Sequence, residues 1–246
     1  MRLSLFKRAP DPDKIEVSHG GQAFPVSVKR RATARRITLR VSSATGEIVL
    51  SLPQRGDFEA ARVFAENHGG WIAARMAKRP AKVAFEPGAT FPFRGVPHRI
   101  VHWSNIRGVT QATTDRDGQP IIAVSGDVRH VARRVSDFLK REALKDLERA
   151  VLRHSAALGI PARKITIRDT RSRWGSCTSR GDLNFSWRLV MAPPLVLDYL
   201  AAHEVAHLKE MNHSHRFWAL THKLCPQTEE AEAWLKRHGV TLHGFG

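Results

Sequence analysis

His203, Glu204 and His207 stand in the order His-Glu-x-x-His, and His213 follows six residues later. Residues i and i+4 share one face of a helix, so imidazoles at 203 and 207 converge on a single ion. Glu204 is next to the first of them and reaches a water held by the ion rather than the ion itself. Zinc suits such a set, because it accepts three nitrogens and keeps a fourth position for water. The ion lowers that water's pKa to about 7, and the carboxylate takes its proton. Random ordering of the same residues gives the five-residue pattern about once in thirty trials, and about once in six hundred with the further histidine.

The third ligand has three candidates. His213 lies six residues past His207, which on a continuing helix is about 600° of turn and leaves it roughly 120° off the line. The chain must therefore break near Met211-Asn212, where asparagine tolerates a left-handed cap. His215 is the rival, with a solvent-facing place after an N-cap at Ser214 as its plainer role. A carboxylate among Glu229, Glu230 and Glu232 is the third choice. Arg171-Ser-Arg173-Trp-Gly-Ser-Cys177 is the second unusual stretch, and its Trp-Gly-Ser-Cys reads as a tight turn before the strand that begins at Leu183. Arg173 is the candidate for substrate binding, neutralising an anionic substrate or an oxyanion, with a structural salt bridge as the equal alternative. Cys177 reads as a buried structural thiol before a ligand or nucleophile. Tyr199, one turn ahead of His203, reads as core, with a hydrogen bond to the ligand as the alternative.

The elements that must position these groups follow from periodicity. Pro193-Pro194 opens a helix through Leu200 to about Met211. Helices over 214–224 and 228–238 follow, the last with glutamates at its start, Lys236-Arg237-His238 at its end and Gly239 as C-cap. Short strands are expected at 165–167 and 183–190. Ahead of them, 128–158 carries one broad apolar stripe and ends at Gly159-Ile-Pro161. Residues 25–127 are strand-rich, with hairpins at 90–103 and 109–124, the latter turning at Asp117-Gly118. They also hold a helix over 57–78 with Trp71 toward the core. Residues 1–24 read as a loose lead-in. No internal repeat stands out. The division expected is 1–24, 25–127 and 128–246, and the fold class is α+β.

The chain has 246 residues, 42% hydrophobic and 26% charged, which is globular composition rather than disorder. Two cysteines exclude a disulfide scaffold, and no apolar run is long enough for a membrane span. A cytoplasmic protein is expected. Forty Lys+Arg against 23 Asp+Glu give +17. That field favours anionic partners, either an anionic nucleotide or weak nucleic-acid association, although scattered arginines also serve solubility.

The C-terminal text resembles the YgjP-like metallopeptidase family, which is related to the SprT-like zinc peptidases. The matching residues are Arg173-Trp-Gly-Ser-Cys177, Asn184, Arg188-Leu-Val190, Pro193, Asp198-Tyr199, His203-Glu-x-Ala-His-Leu208, Asn212-His213-Ser214 and Phe217-Trp218. The likeness is specific over about 160–240 and loose over 25–158. It implies one zinc on His203, His207 and His213, with Glu204 as general base, in a cytoplasmic peptidase acting on a peptide or protein. Position 210 is Glu where the extended metzincin motif has Gly, so the turn after His207 is not assumed to follow that pattern. Two further functions stay open. A nucleotide or phosphoanhydride hydrolase would use the same activated water. A basic nucleic-acid-binding module would carry a structural or degenerate zinc site, which has no use for Glu204.

Overall fold

Gly20 and Gly21, with φ of 56° and 76°, close a two-residue turn between β1 (Lys14–His19) and β2 (Gln22–Arg31). Consecutive positive φ values match the twist of a tight hairpin, and glycine adopts them without strain. The lead-in expected over 1–24 is therefore corrected from Lys14 onward. Its apolar alternation is only Ile15, Val17, Phe24 and Val26, too short to stand out among polar neighbours, yet Val17, Phe24 and Val26 are buried. The computed structural model describes residues 11–42, 44–104 and 108–246, so the first ten residues of that expected lead-in lie outside it.

The chain divides into two units, Met1–Arg79 and Pro80–Gly246. In the first, β3 (Thr38–Val41) and β4 (Ile48–Pro53) complete a sheet of order β1-β2-β4-β3, with β2 and β4 parallel and the outer pairs antiparallel. The single helix expected over 57–78 is two, α1 (Phe58–Asn67) and α2 (Gly69–Ala77), broken at His68. Gly69 and Gly70 open α2, and a Cβ on either would come within 3.1 Å of the His19 side chain, so the glycines let α2 lie close against β1. Ala61, Ala65 and Ile72 enter the core, whereas Trp71 faces outward, 39% exposed, beneath Arg75.

The second unit opens with β5 (Thr90–Phe93), β6 (Val96–Trp103), β7 (Gln111–Thr114) and β8 (Pro120–Ser125) in the order β5-β6-β8-β7. Here too the middle pair is parallel, the outer pairs are antiparallel, and a two-residue turn of positive φ, Arg94-Gly95, closes the first hairpin. One topology thus occurs twice without a repeat in the sequence, because hydrophobic alternation and turn residues specify it and residue identity does not. Helix α3 (Val131–Leu158) follows and stops at Gly159, φ 74°. It packs its buried stripe, Val135, Leu139, Ala143 and Leu147 among others, into the one large core of this unit.

A second sheet, of order β10-β11-β9, joins β9 (Lys164–Arg168), β10 (Gly175–Cys177) and β11 (Asp182–Ser186). Two expectations are corrected here. Of Trp-Gly-Ser-Cys, Gly175–Cys177 forms an edge strand rather than a turn. The strand expected to 190 ends at Ser186, and Trp187–Met191 is a buried 3-10 segment. Its carbonyls at Val190 and Met191 accept from the Arg94 and Gly95 amides, which a ladder could not supply at that place. Helices α4 (Pro194–Ala206), α5 (His215–Leu224) and α6 (Thr228–His238) close the unit. Gly239 caps α6 as expected, its N–H donating to the Leu235 carbonyl, but with right-handed φ of −55°. It lies under Trp174, where a Cβ would approach the indole to 3.3 Å. No helix among the described residues is long and apolar enough to cross a membrane.

Candidate metal centre

α4 carries His203 and Glu204 on its last turn and is buried on nearly every side, as its run of Ala, Leu and Val demands. It ends at Ala206, five residues before the expected stop. His207, still in right-handed conformation, caps it. The next amides tighten to three-residue bonds, Leu208 to Val205 and Lys209 to Ala206, so the chain peels off the helix axis at once. No left-handed residue is needed at Asn212; among described non-glycine residues only Arg94 has positive φ. The early break brings His213 back over the helix end.

One ring nitrogen from each of His203, His207 and His213 lies within 4.8 Å of the others, so the three could hold a metal ion. The Nε2 atoms of His203 and His213 are 3.2 Å apart. Two nitrogens on one tetrahedral zinc stand roughly 3.3 Å apart, from bonds of about 2.0–2.1 Å, which is the spacing of this one pair. His215 begins α5 and Glu229 and Glu230 lie in the first turn of α6, all outside this cluster.

Hydrogen bonds orient two of the rings. His207 Nδ1 lies 2.9 Å from the Glu210 carbonyl, to which it donates, leaving the Nε2 lone pair free. Tyr199 Oη donates to Glu232 Oε1 at 2.8 Å and lies 3.3 Å from His203 Nδ1. With its proton turned to Glu232, the phenol oxygen accepts from Nδ1–H and Nε2 again faces the cluster. Burial, with the neighbouring His207 and His213, pushes His203 down to about 4 and keeps it neutral. Phe217, fully buried, packs against all three rings with centroids 4.4–4.9 Å away. Two of these roles were not read in the sequence: Phe217 as the floor of the site, and Glu232 as the acceptor behind Tyr199.

Glu204 is 4% exposed, and its Oε2 has no partner among the described residues. Burial pushes its carboxyl up to about 8 against the lowering charge of Arg173. A buried carboxylate oxygen without a donor, beside three converging imidazoles, suits a group whose partner is a reacting proton. Gly175 on β10 makes room for it: a Cβ there would stand 2.4 Å from Glu204 Oε1. Arg173 is exposed and has no ion pair among the described residues, so the salt-bridge alternative is not what the structure holds. Cys177 is half-buried, donates to the Thr178 carbonyl, and is pushed up to about 11 by burial and the Glu204 and Asp182 charges. A thiol so placed is no nucleophile at neutral pH.

A family model described as YgjP-like, metallopeptidase domain, matches residues 35–238. The crystal structure of the metallopeptidase zymogen of Pyrococcus abyssi abylysin is similar over 37% of this chain and 93% of that one, with 20% identity and a TM-score of 0.34. No curated protein matches the chain.

Proposed function

We propose, from the premise that this chain belongs to the YgjP-like metallopeptidase family, that it hydrolyses peptide bonds with one zinc ion held by His203, His207 and His213 and with Glu204 as general base. One observation supports this most: three imidazole nitrogens within 4.8 Å of one another, beside a buried carboxylate oxygen with no partner among the described residues. Zinc bound there would supply Lewis acidity, which brings a water's pKa to about 7 and polarises an amide carbonyl.

The rest falls to the chain's own residues. Glu204 accepts a proton from the attacking water as its oxygen bonds to the carbonyl carbon. The same carboxyl passes that proton to the amide nitrogen as the C–N bond breaks, so an acid and an amine leave with the atoms of one water added. Tyr199 and Glu232 hold the His203 ring, and the Glu210 carbonyl holds His207. Gly175 lets the carboxylate lie where it does. Neither family nor fold gives support to the nucleotide or nucleic-acid partners that the net charge suggested.

The test is metal analysis of the purified protein, followed by screens on peptides and casein. About one zinc per chain is expected, and His207→Ala should lose most of it. Full zinc in that variant would remove these histidines from the site. Gly175→Ala tests the cradle: zinc should stay while hydrolysis falls on the order of tenfold, since small misplacements of a catalytic group are costly. Unchanged hydrolysis would mean the carboxylate does not act from where it lies.

A further inference from the structure

A cavity of about 320 Å³ is lined by residues of all three strands of the β10-β11-β9 sheet and of the β9–β10 connection. Its wall includes Gly175, the residue against which the Glu204 carboxylate rests, so it adjoins the proposed catalytic group. The remaining wall is Arg168, Thr170, Ser172, Arg173, Ser176 and Asn184. Every one of these side chains is polar and two are cationic, while no carboxylate lines the cavity.

Neither arginine is paired with a carboxylate among the described residues. Arg168 donates from Nε to Asn184 Oδ1 at 3.0 Å, which fixes its guanidinium across the sheet and leaves both terminal nitrogens without a partner among the described residues. Arg173 has no ion pair there, although neighbouring acids are taken: Asp169 by Arg188 and Asp182 by Arg163. A guanidinium presents a planar fork that matches a carboxylate, and serine and threonine hydroxyls turn to donate to it. Two exposed guanidinium groups with unused donors, set together in a concave site, suit an anion.

We propose that this cavity is a substrate subsite that receives a carboxylate of the peptide, held by Arg168 and Arg173. The inference rests on the peptidase reading above and gives it a substrate class, peptides acidic beside the cut. The carboxylate has two sources, a side chain or the peptide's own C-terminus.

The test uses the zinc-loaded full-length protein and matched peptides with blocked ends, carrying Glu or Gln near the cut, plus pairs with free or amidated C-termini. The Glu peptide should have a kcat/KM roughly ten- to a hundredfold above its Gln twin, the scale of a charge-assisted contact. Arg168→Gln and Arg173→Gln should each collapse that ratio, mainly through KM. Arg168→Gln is the cleaner variant, since the Arg173 charge also falls on Glu204. A preference seen only with free C-termini assigns the subsite to the terminal carboxylate. Cleavage with no acidic preference overturns the subsite and leaves the peptidase standing. Cleavage of no peptide at all overturns the peptidase. In that case binding of the blocked peptides to Glu204→Gln protein, read by fluorescence anisotropy, still decides the cavity. Equal Kd for Glu and Gln peptides, or displacement by a nucleoside triphosphate but not by the Glu peptide, overturns it.

Discussion

Glu204→Gln keeps the metal and loses hydrolysis by a factor on the order of 10² or more. The amide has nearly the size of the carboxyl, so it still fits against Gly175 and the helix end. It cannot take a proton, and the step proposed for Glu204 is a proton transfer. No nitrogen or oxygen of the His203, His207 and His213 set changes, so zinc content and thermal unfolding should stay near wild type. Metal content, unfolding and hydrolysis measured on one preparation check the result. Loss of zinc as complete as in His207→Ala would make Glu204 a ligand. Retention of both zinc and full activity would leave the histidines a metal-binding scaffold, with the chemistry elsewhere.

The second large effect is on stability. Arg188 is 5% exposed in the 3-10 segment after β11. It donates to Asp169 and to the carbonyls of Leu242 and Phe245, and its guanidinium lies over Trp187. Arg188→Met keeps most of the volume and strips all of these bonds. The expected cost is about 3 kcal/mol, at the low end for breaking a buried pair because Asp169 keeps water on one side. Urea unfolding measures it, and a change under about 1 kcal/mol would mean the C-terminal carbonyls are satisfied without Arg188. Acid should act on the same cluster. Burial, then the Arg188 charge, pushes His243 down to about 4, with Asp169 opposing and Arg171 adding. The unfolded chain takes up a proton below about 6.5 that the folded chain refuses, so stability falls as pH drops from about 6.5 toward about 4. Asp169 is held below the usual carboxylate range because Arg188 outweighs its burial, and it adds a further loss at still lower pH.

The long periodic helix α3, the hairpins at 90–103 and 109–124, and the helices α5 and α6 were legible because each carries several turns or alternations with a punctuating Gly, Pro or cap. The His203–Glu204–His207 pattern was legible because its spacing is itself a helix geometry. What escaped depends on tertiary partners. The strand to 186 turns into a 3-10 segment because the β5–β6 turn offers amides to its carbonyls. α4 stops at Ala206 although its sequence continues to suit a helix. Gly239 caps α6 as its sequence suggests, but in right-handed conformation and packed under Trp174. Glu232 reads as a helix-dipole charge and acts through a tyrosine 33 residues away. Nothing local in the sequence marks such pairings.

Helix α3 touches β8, β9, the Trp187–Met191 segment, α4 and α5. A rod of 28 residues, roughly 42 Å long, is thereby shared by the sheet of β5–β8 and by the helix that carries His203 and Glu204. Neither can come loose while leaving α3 fully covered, which couples their opening into one cooperative event. Free energy supplied by a ligand at the histidines is consequently not confined to the helix end. It slows amide exchange in β6 and β8 and raises the melting temperature of the whole Pro80–Gly246 unit, by mass action on a single folded state.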